Sequence, residues 1–63
     1  MKKNTKKIIG LLVGYDRRTF HKSHIGNNDE EIRETIDELI SEGISVVENP
    51  PKSGYYEMKV VGK

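Results

Sequence analysis

Apolar side chains recur with a helical period in the first third of this chain. Between residues 6 and 15 they fall at relative positions 0, 1, 3, 4 and 7, which is one side of a helix: Ile8, Ile9, Leu11, Leu12 and Tyr15. Gly10 interrupts the pattern and costs about 1 kcal/mol relative to alanine, so a β-strand is the competing interpretation. We favour the helix because the apolar positions do not alternate.

A second helical pattern covers residues 29–42, with four apolar positions on one side: Ile32, Ile36, Leu39 and Ile40. Asn28 is a suitable N-cap, and Glu31 stands where a capping box places its reciprocal partner. Gly43 is suited to a left-handed C-cap. These signals predict a helix that ends at the glycine.

The segment between these helices is predicted to form a short helix over residues 17–25. Asp16 is its expected N-cap, and Phe20 and His24 share one side at a spacing of four. The sequence IGNN that follows predicts a turn, because Gly26 permits a positive φ.

The C-terminal third contains two β-prone runs, ISVVE and YYEMKVV, joined by NPPKSG, whose prolines and glycine favour a turn. In the second run Tyr56, Met58 and Val60 alternate with Tyr55, Glu57 and Lys59, so the first set is expected to cover the helical core while the second set meets solvent. The predicted fold is therefore α+β, with three helices and a C-terminal two-stranded hairpin. Residues 1–5 are expected to be a flexible basic arm and residues 6–63 a single domain.

Composition narrows the class of protein. The chain has 63 residues and no cysteine, so it has a small core and neither a disulfide, a thiolate zinc site nor a cysteine nucleophile. Its longest apolar run, IIGLLVG, is far shorter than the roughly 20 residues that span a bilayer. No cleavage site follows that run. We therefore expect a soluble, cytoplasmic protein with no membrane partner.

No catalytic or metal-binding constellation is predicted. His21 and His24 are three residues apart and resemble part of a metal site, but no third ligand accompanies them. The carboxylates of residues 29–42 suggest no catalytic pair, because nothing indicates a pocket that would raise one pKa. The expectation is a protein that is not an enzyme and needs no cofactor.

Three helices followed by a hairpin resemble the winged helix-turn-helix family, in particular the compact modules of phage and bacterial regulators. The resemblance covers residues 6–61 and rests on IGNNDEEIRETIDELISEG, similar to the turn and recognition helix, and on VVENPPKSGYYEMKV, similar to the wing. It implies a module that binds double-stranded DNA and regulates transcription or replication. A homodimer is a further expectation, because one module offers little contact area.

The resemblance also implies which residues contact DNA. Those of the recognition helix and wing are Asn27, Asn28, Arg33, Lys52 and Ser53, and the phosphate contacts of the second helix are Arg17, Arg18 and Lys22. Alternation directs Tyr55 outward near Lys52, where it can contact a partner. Lys2 and Lys3 are expected to reach a minor groove or to act as a solubilising tail.

Charge complicates this picture, although the formal net charge is only +1. Residues 1–28 carry seven cations and one carboxylate, whereas residues 29–48 carry eight carboxylates and one cation. Four of these carboxylates are predicted on the outer face of the third helix: Glu30, Glu34, Asp37 and Glu38. That face favours a shallow approach to DNA, or alternatively docking on a basic surface of a nucleic-acid enzyme, or it is simply a solvated face.

Overall fold

The computed structural model describes residues 1–62, so Lys63 of the predicted domain lies outside the described residues. The elements in chain order are α1 (Lys3–Gly14), β1 (Thr19–His21), α2 (Lys22–Ile25), α3 (Asp29–Ser41), β2 (Ile44–Glu48) and β3 (Tyr55–Val60). This confirms the predicted α+β class with three helices. The predicted two-stranded hairpin is incomplete, because β1 adds a third strand.

The three strands form one antiparallel sheet in the order β1-β3-β2. Phe20 of β1 lies opposite Tyr56 of β3, and Val46 of β2 lies opposite Met58. The central strand therefore carries both tyrosines, on opposite faces of the sheet.

The hydrophobic core lies between the helices and one face of this sheet. Its buried members come from all six elements: Ile8, Leu12, Phe20, Ile25, Leu39, Ile44 and Met58. Ile40, which the helical pattern placed on the buried side, is instead 55% exposed, so that prediction is wrong. The apolar side of α3 is narrower than the sequence suggested.

The predicted helix over residues 17–25 is also wrong in its first half. Asp16 has a φ of 54°, which is not the extended backbone of an N-cap, and the chain runs on as β1 before α2 begins. The amide of Met58 donates to the carbonyl of Arg18 at 2.7 Å. Extended backbone lets Phe20 reach the core, where it is fully buried.

The first helix begins earlier than predicted. Helix α1 confirms the helical interpretation over the strand, but it starts at Lys3, inside the segment expected to be a flexible arm. Thr5 of that segment is fully buried.

Among residues 1–62, the structure has no helix with the length and apolar character needed to cross a membrane.

The turn between α2 and α3 depends on a close approach of two backbone segments. Gly26 has a φ of −166°, so the predicted positive φ is wrong, but a Cβ there would lie 2.8 Å from the backbone nitrogen of Ile32. At the start of α3 the side chain of Asn28 accepts a hydrogen bond from the amide of Glu31 at 2.8 Å, which confirms the predicted N-cap. Gly43 beyond its end has the predicted positive φ of 88°.

Two glycine substitutions test this packing. Gly26→Ala is expected to lower the free energy of unfolding by about 1–3 kcal/mol, because the new methyl group overlaps backbone that cannot rotate away. Gly10→Ala, at an exposed position inside α1 with open space around it, is expected to raise that free energy by up to about 1 kcal/mol. Urea denaturation followed by circular dichroism measures both changes, and equal effects of the two substitutions would contradict the packing of the turn.

Candidate functional site

A groove of about 410 Å³ lies between α3 and the hairpin loop, residues 49–54. Three cationic side chains line it, one from each of three parts of the chain: Lys22 opens α2, Arg33 lies in α3 and Lys52 lies in the hairpin loop. Asp29 and Glu48 line the same groove, so its charged groups sum to one net positive charge. We call this surface the groove.

Hydrogen bonds hold the start of α2 against the hairpin loop. The amide of Lys22 donates to the carbonyl of Gly54 at 2.7 Å, and the amide of Gly54 donates to Oε2 of Glu48 at 3.0 Å. Gly54 has a φ of 83°, and a Cβ at this position would meet the Lys22 side chain at 3.3 Å. The loop therefore comes close to α2, which places Lys22 beside the groove wall that carries Lys52.

The groove brings together three of the residues that the winged-helix resemblance implied, Lys22, Arg33 and Lys52. Asn27 and Asn28 lie in an adjoining depression that shares Lys22, Asp29 and Ile32 with the groove. The two asparagines are exposed and precede the first turn of α3. Five of the implied residues therefore lie on one continuous surface.

The floor of the groove is apolar. Ile32, Ile36 and Tyr56 line it, and each is only partly buried against the core. Burial raises the pKa of the Tyr56 phenol, and the carboxylates of Glu48 and Asp29 raise it further. The ring therefore stays neutral at physiological pH and presents an aromatic surface between charged groups.

The other predicted contact residues lie away from the groove. The Arg17 guanidinium covers the ring of Phe20 at 4.6 Å, and its Nη2 lies 3.3 Å from Nδ1 of His24. Arg18 pairs with Asp16 at 3.5 Å near the outer face of the sheet. Both arginines precede β1, so their predicted place in the second helix is wrong.

Tyr55 and Ser53 lie close to Lys52 in the chain but do not line the groove. The Tyr55 ring meets the His21 ring edge-on with centroids 4.8 Å apart. Because neighbouring residues of a strand point to opposite faces of the sheet, Tyr55 points away from Tyr56 and the groove. Ser53 Oγ accepts a hydrogen bond from the amide of Tyr55 at 3.1 Å. Tyr55 remains 48% exposed, as its predicted outward direction requires.

The first turn of α1 is bonded to one side of α3, and we call this the α1–α3 contact. Thr5 Oγ1 donates to Oε1 of Glu38 at 2.6 Å, and the amide of Lys2 donates to the same oxygen at 2.9 Å. The Lys2 ammonium pairs with Glu34 at 2.6 Å. Glu30, Glu34 and Asp37 are exposed as predicted, but Glu34 is paired with Lys2, and Glu38 is half-buried at the contact, so the predicted free outer face is wrong for Glu38.

Charge within the α1–α3 contact shifts two pKa values. The hydrogen bond from Thr5 and the bond from the Lys2 amide lower the pKa of the Glu38 carboxyl. The hydrogen bond to Glu34 raises the pKa of the Lys2 ammonium. Glu31 extends the contact, accepting from the amide of Asn27 at 3.0 Å and from Asn4 Nδ2 at 3.4 Å. Lys2 and the exposed Lys3 thus lie at the α1–α3 contact and away from the groove.

Sequence reasoning missed several groove residues, in particular Asp29, Glu48 and Tyr56. From the sequence, Asp29 belongs only to the acidic run of residues 29–48, and Tyr56 is expected on the strand face that covers the helices. Glu48 directly precedes the loop that carries Lys52, and this position was the one available signal.

Within residues 1–62 no three histidine, aspartate or glutamate side chains come together as a metal site would require.

Comparisons with protein-family models, with curated proteins and with solved structures returned no match for this chain. The functional argument therefore rests on the groove and on the α1–α3 contact.

The lowered pKa of Glu38 predicts how stability responds to acid. A carboxyl with a lowered folded-state pKa adds stability above its ordinary value near 4.5, and that stability is lost as the pH falls through the folded-state pKa. Glu38→Gln is therefore expected to lower the urea midpoint at pH 7, and its deficit relative to the wild type should shrink below about pH 4.

Asp37→Asn is the matched control, because it removes the same charge from an exposed neighbour outside the α1–α3 contact. Its difference from the wild type should change less between pH 7 and pH 3. An equal response of the two variants would show that the Thr5–Glu38 bond does not couple folding to protonation.

Proposed function

We propose that this chain is a small, non-enzymatic winged helix-turn-helix module that binds double-stranded DNA and acts as a regulator of transcription or replication. The observation that carries the proposal is the convergence of Lys22, Arg33 and Lys52 on one groove. Cations from separate elements that face one open surface suit a polyanion, whose phosphates recur along its length.

The order of elements supports the winged-helix assignment. A tight turn separates α2 from α3, and the hairpin loop stands beside the N-terminal half of α3, as the wing does in the family that the sequence resembles. The start of α3 adds the positive end of the helix dipole near Asn27 and Asn28. This side of the module is the one we propose to face the phosphate backbone.

The α1–α3 contact reduces the electrostatic objection to DNA. A carboxylate 4 Å from a phosphate costs about 1 kcal/mol in water, so several on a buried helix face would oppose binding. Glu34 and Glu38 instead turn toward α1, where Lys2 and Thr5 hold them. Glu30 and Asp37 stay exposed beside Arg33, so we propose a shallow approach by the start of α3 and the hairpin loop rather than deep insertion of the helix.

Docking of α3 on a basic protein surface is the less supported alternative. Two of the four carboxylates that it needs, Glu34 and Glu38, already have partners within the chain. The remaining pair, Glu30 and Asp37, lies beside the cationic Arg33. Among the described residues, Arg33 interrupts the exposed carboxylates of α3, whereas the cations of the groove line one surface.

A salt titration with a matched pair of triple variants tests the proposal. Binding to a labelled duplex, measured by fluorescence anisotropy, should weaken with salt, and each lost phosphate contact should reduce the log–log slope by about 0.9. The variant Lys22→Ala, Arg33→Ala, Lys52→Ala is therefore expected to reduce the slope by roughly 2–3.

The control is Lys6→Ala, Lys7→Ala, Lys59→Ala, which removes the same formal charge from exposed positions outside the groove. It should retain most of the wild-type slope. Equal losses in both triple variants would reject the groove as the binding surface, and an absence of binding by the wild type at low salt would reject DNA binding altogether.

A further inference from the structure

We propose that the groove receives one unpaired nucleobase, so that the preferred ligand is a DNA duplex carrying an unpaired nucleotide at its end. This inference rests on the proposed DNA binding and specifies its substrate. The groove has an apolar floor formed by Ile32, Ile36 and Tyr56. A ligand that contacted the groove only through its phosphates would not contact this floor.

The size of the groove suits a single base. Pockets that hold small ligands begin at about 300 Å³, and the groove has about 410 Å³. Tyr56 supplies a ring and the two isoleucines supply aliphatic surface, which is the combination on which unpaired bases stack without sequence preference.

The charged rim matches the rest of a nucleotide. Lys22, Arg33 and Lys52 surround the floor, where they can hold the phosphates on either side of an unpaired base. Asp29 and Glu48 line the same space, and their carboxylates can accept hydrogen bonds from the N–H groups of a base edge. An aromatic floor, cations for phosphate and acceptors for a base thus occur together.

A paired base cannot reach this floor. Bases inside a duplex are stacked and hydrogen-bonded, and extruding one costs energy that an already unpaired base does not require. An unpaired end nucleotide can enter the groove while the adjacent duplex stays against the start of α3 and the hairpin loop. The geometry therefore favours a duplex end over a continuous duplex.

Three hairpin duplexes of one sequence test this inference with the 63-residue chain: one with a blunt end, one with a single unpaired terminal nucleotide, and one with an abasic nucleotide at that position. The last two carry the same phosphates, so any difference between them belongs to the base. The unpaired base should bind at least about five-fold more tightly than the abasic nucleotide, the lower limit given by base–aromatic stacking. Both 5′ and 3′ extensions are measured.

Neighbouring tyrosines provide the matched variants. Tyr56→Leu should abolish the preference for the base, whereas Tyr55→Leu, on the other face of the sheet, should retain it. Circular dichroism verifies that both variants fold. If Tyr56→Leu does not fold, quenching of a 2-aminopurine at the unpaired position by the wild type replaces it, and unchanged fluorescence in the complex contradicts the inference.

Failure of this inference differs from failure of the proposed function. Equal affinity for the base and the abasic end, with duplex binding intact, would overturn the base site and leave the DNA-binding proposal standing. No affinity for any of the three duplexes at low salt would overturn both.

Discussion

The bonds between the first turn of α1 and the carboxylates of α3 determine which side of α3 faces solvent. Thr5 is fully buried, and a buried hydroxyl needs a hydrogen-bond partner, which Glu38 provides at 2.6 Å. Lys2 adds its amide to Glu38 and its ammonium to Glu34. Side chains have fixed angular positions around a helix axis. Because Glu34 and Glu38 face α1, Arg33 and Ile36 face the hairpin loop.

Charges that are sorted along the sequence are therefore divided again in space. The acidic run of residues 29–42 forms two surfaces: one bonded to α1 through Glu31, Glu34 and Glu38, and one exposed around Arg33. The cations of the first 28 residues are likewise divided, since Lys2 serves the α1–α3 contact and Lys22 lines the groove. The segregation of charged residues along the sequence therefore does not by itself determine which surfaces of the folded protein are acidic or basic.

The sequence predicted the parts of the fold that carry strong local signals. Helix α3 has a regular apolar period and caps at both ends, and β2 and β3 flank an unmistakable turn, so these elements were predicted closely. Strand β1 has only three residues, too few for alternation to distinguish it from a helix. The start of α1 was missed because the partner of Thr5 is 33 residues away in the chain, where no local pattern could reveal it.

The candidate site was predictable to a similar extent. The winged-helix resemblance identifies the cations of the groove but not its floor. Tyr56 occupies the same alternating position in β3 whether its ring is fully buried or partly exposed at the edge of the core. The exposed fraction of the Tyr56 side chain depends on how far α3 and the hairpin loop extend over the sheet. Glu48 likewise joins the groove through its bond to Gly54, a contact set by the loop conformation.

Distance explains how a carboxylate-rich helix can still accompany a site for a polyanion. An α-helix with its side chains is about 10–12 Å across, and charges in water at physiological salt are screened over about 8 Å. Glu34 and Glu38 bond to α1, whereas Arg33 lines the groove, so a phosphate at the groove and these two carboxylates lie on different sides of α3. The local composition of the groove, rather than the net charge of +1, therefore governs what can approach it.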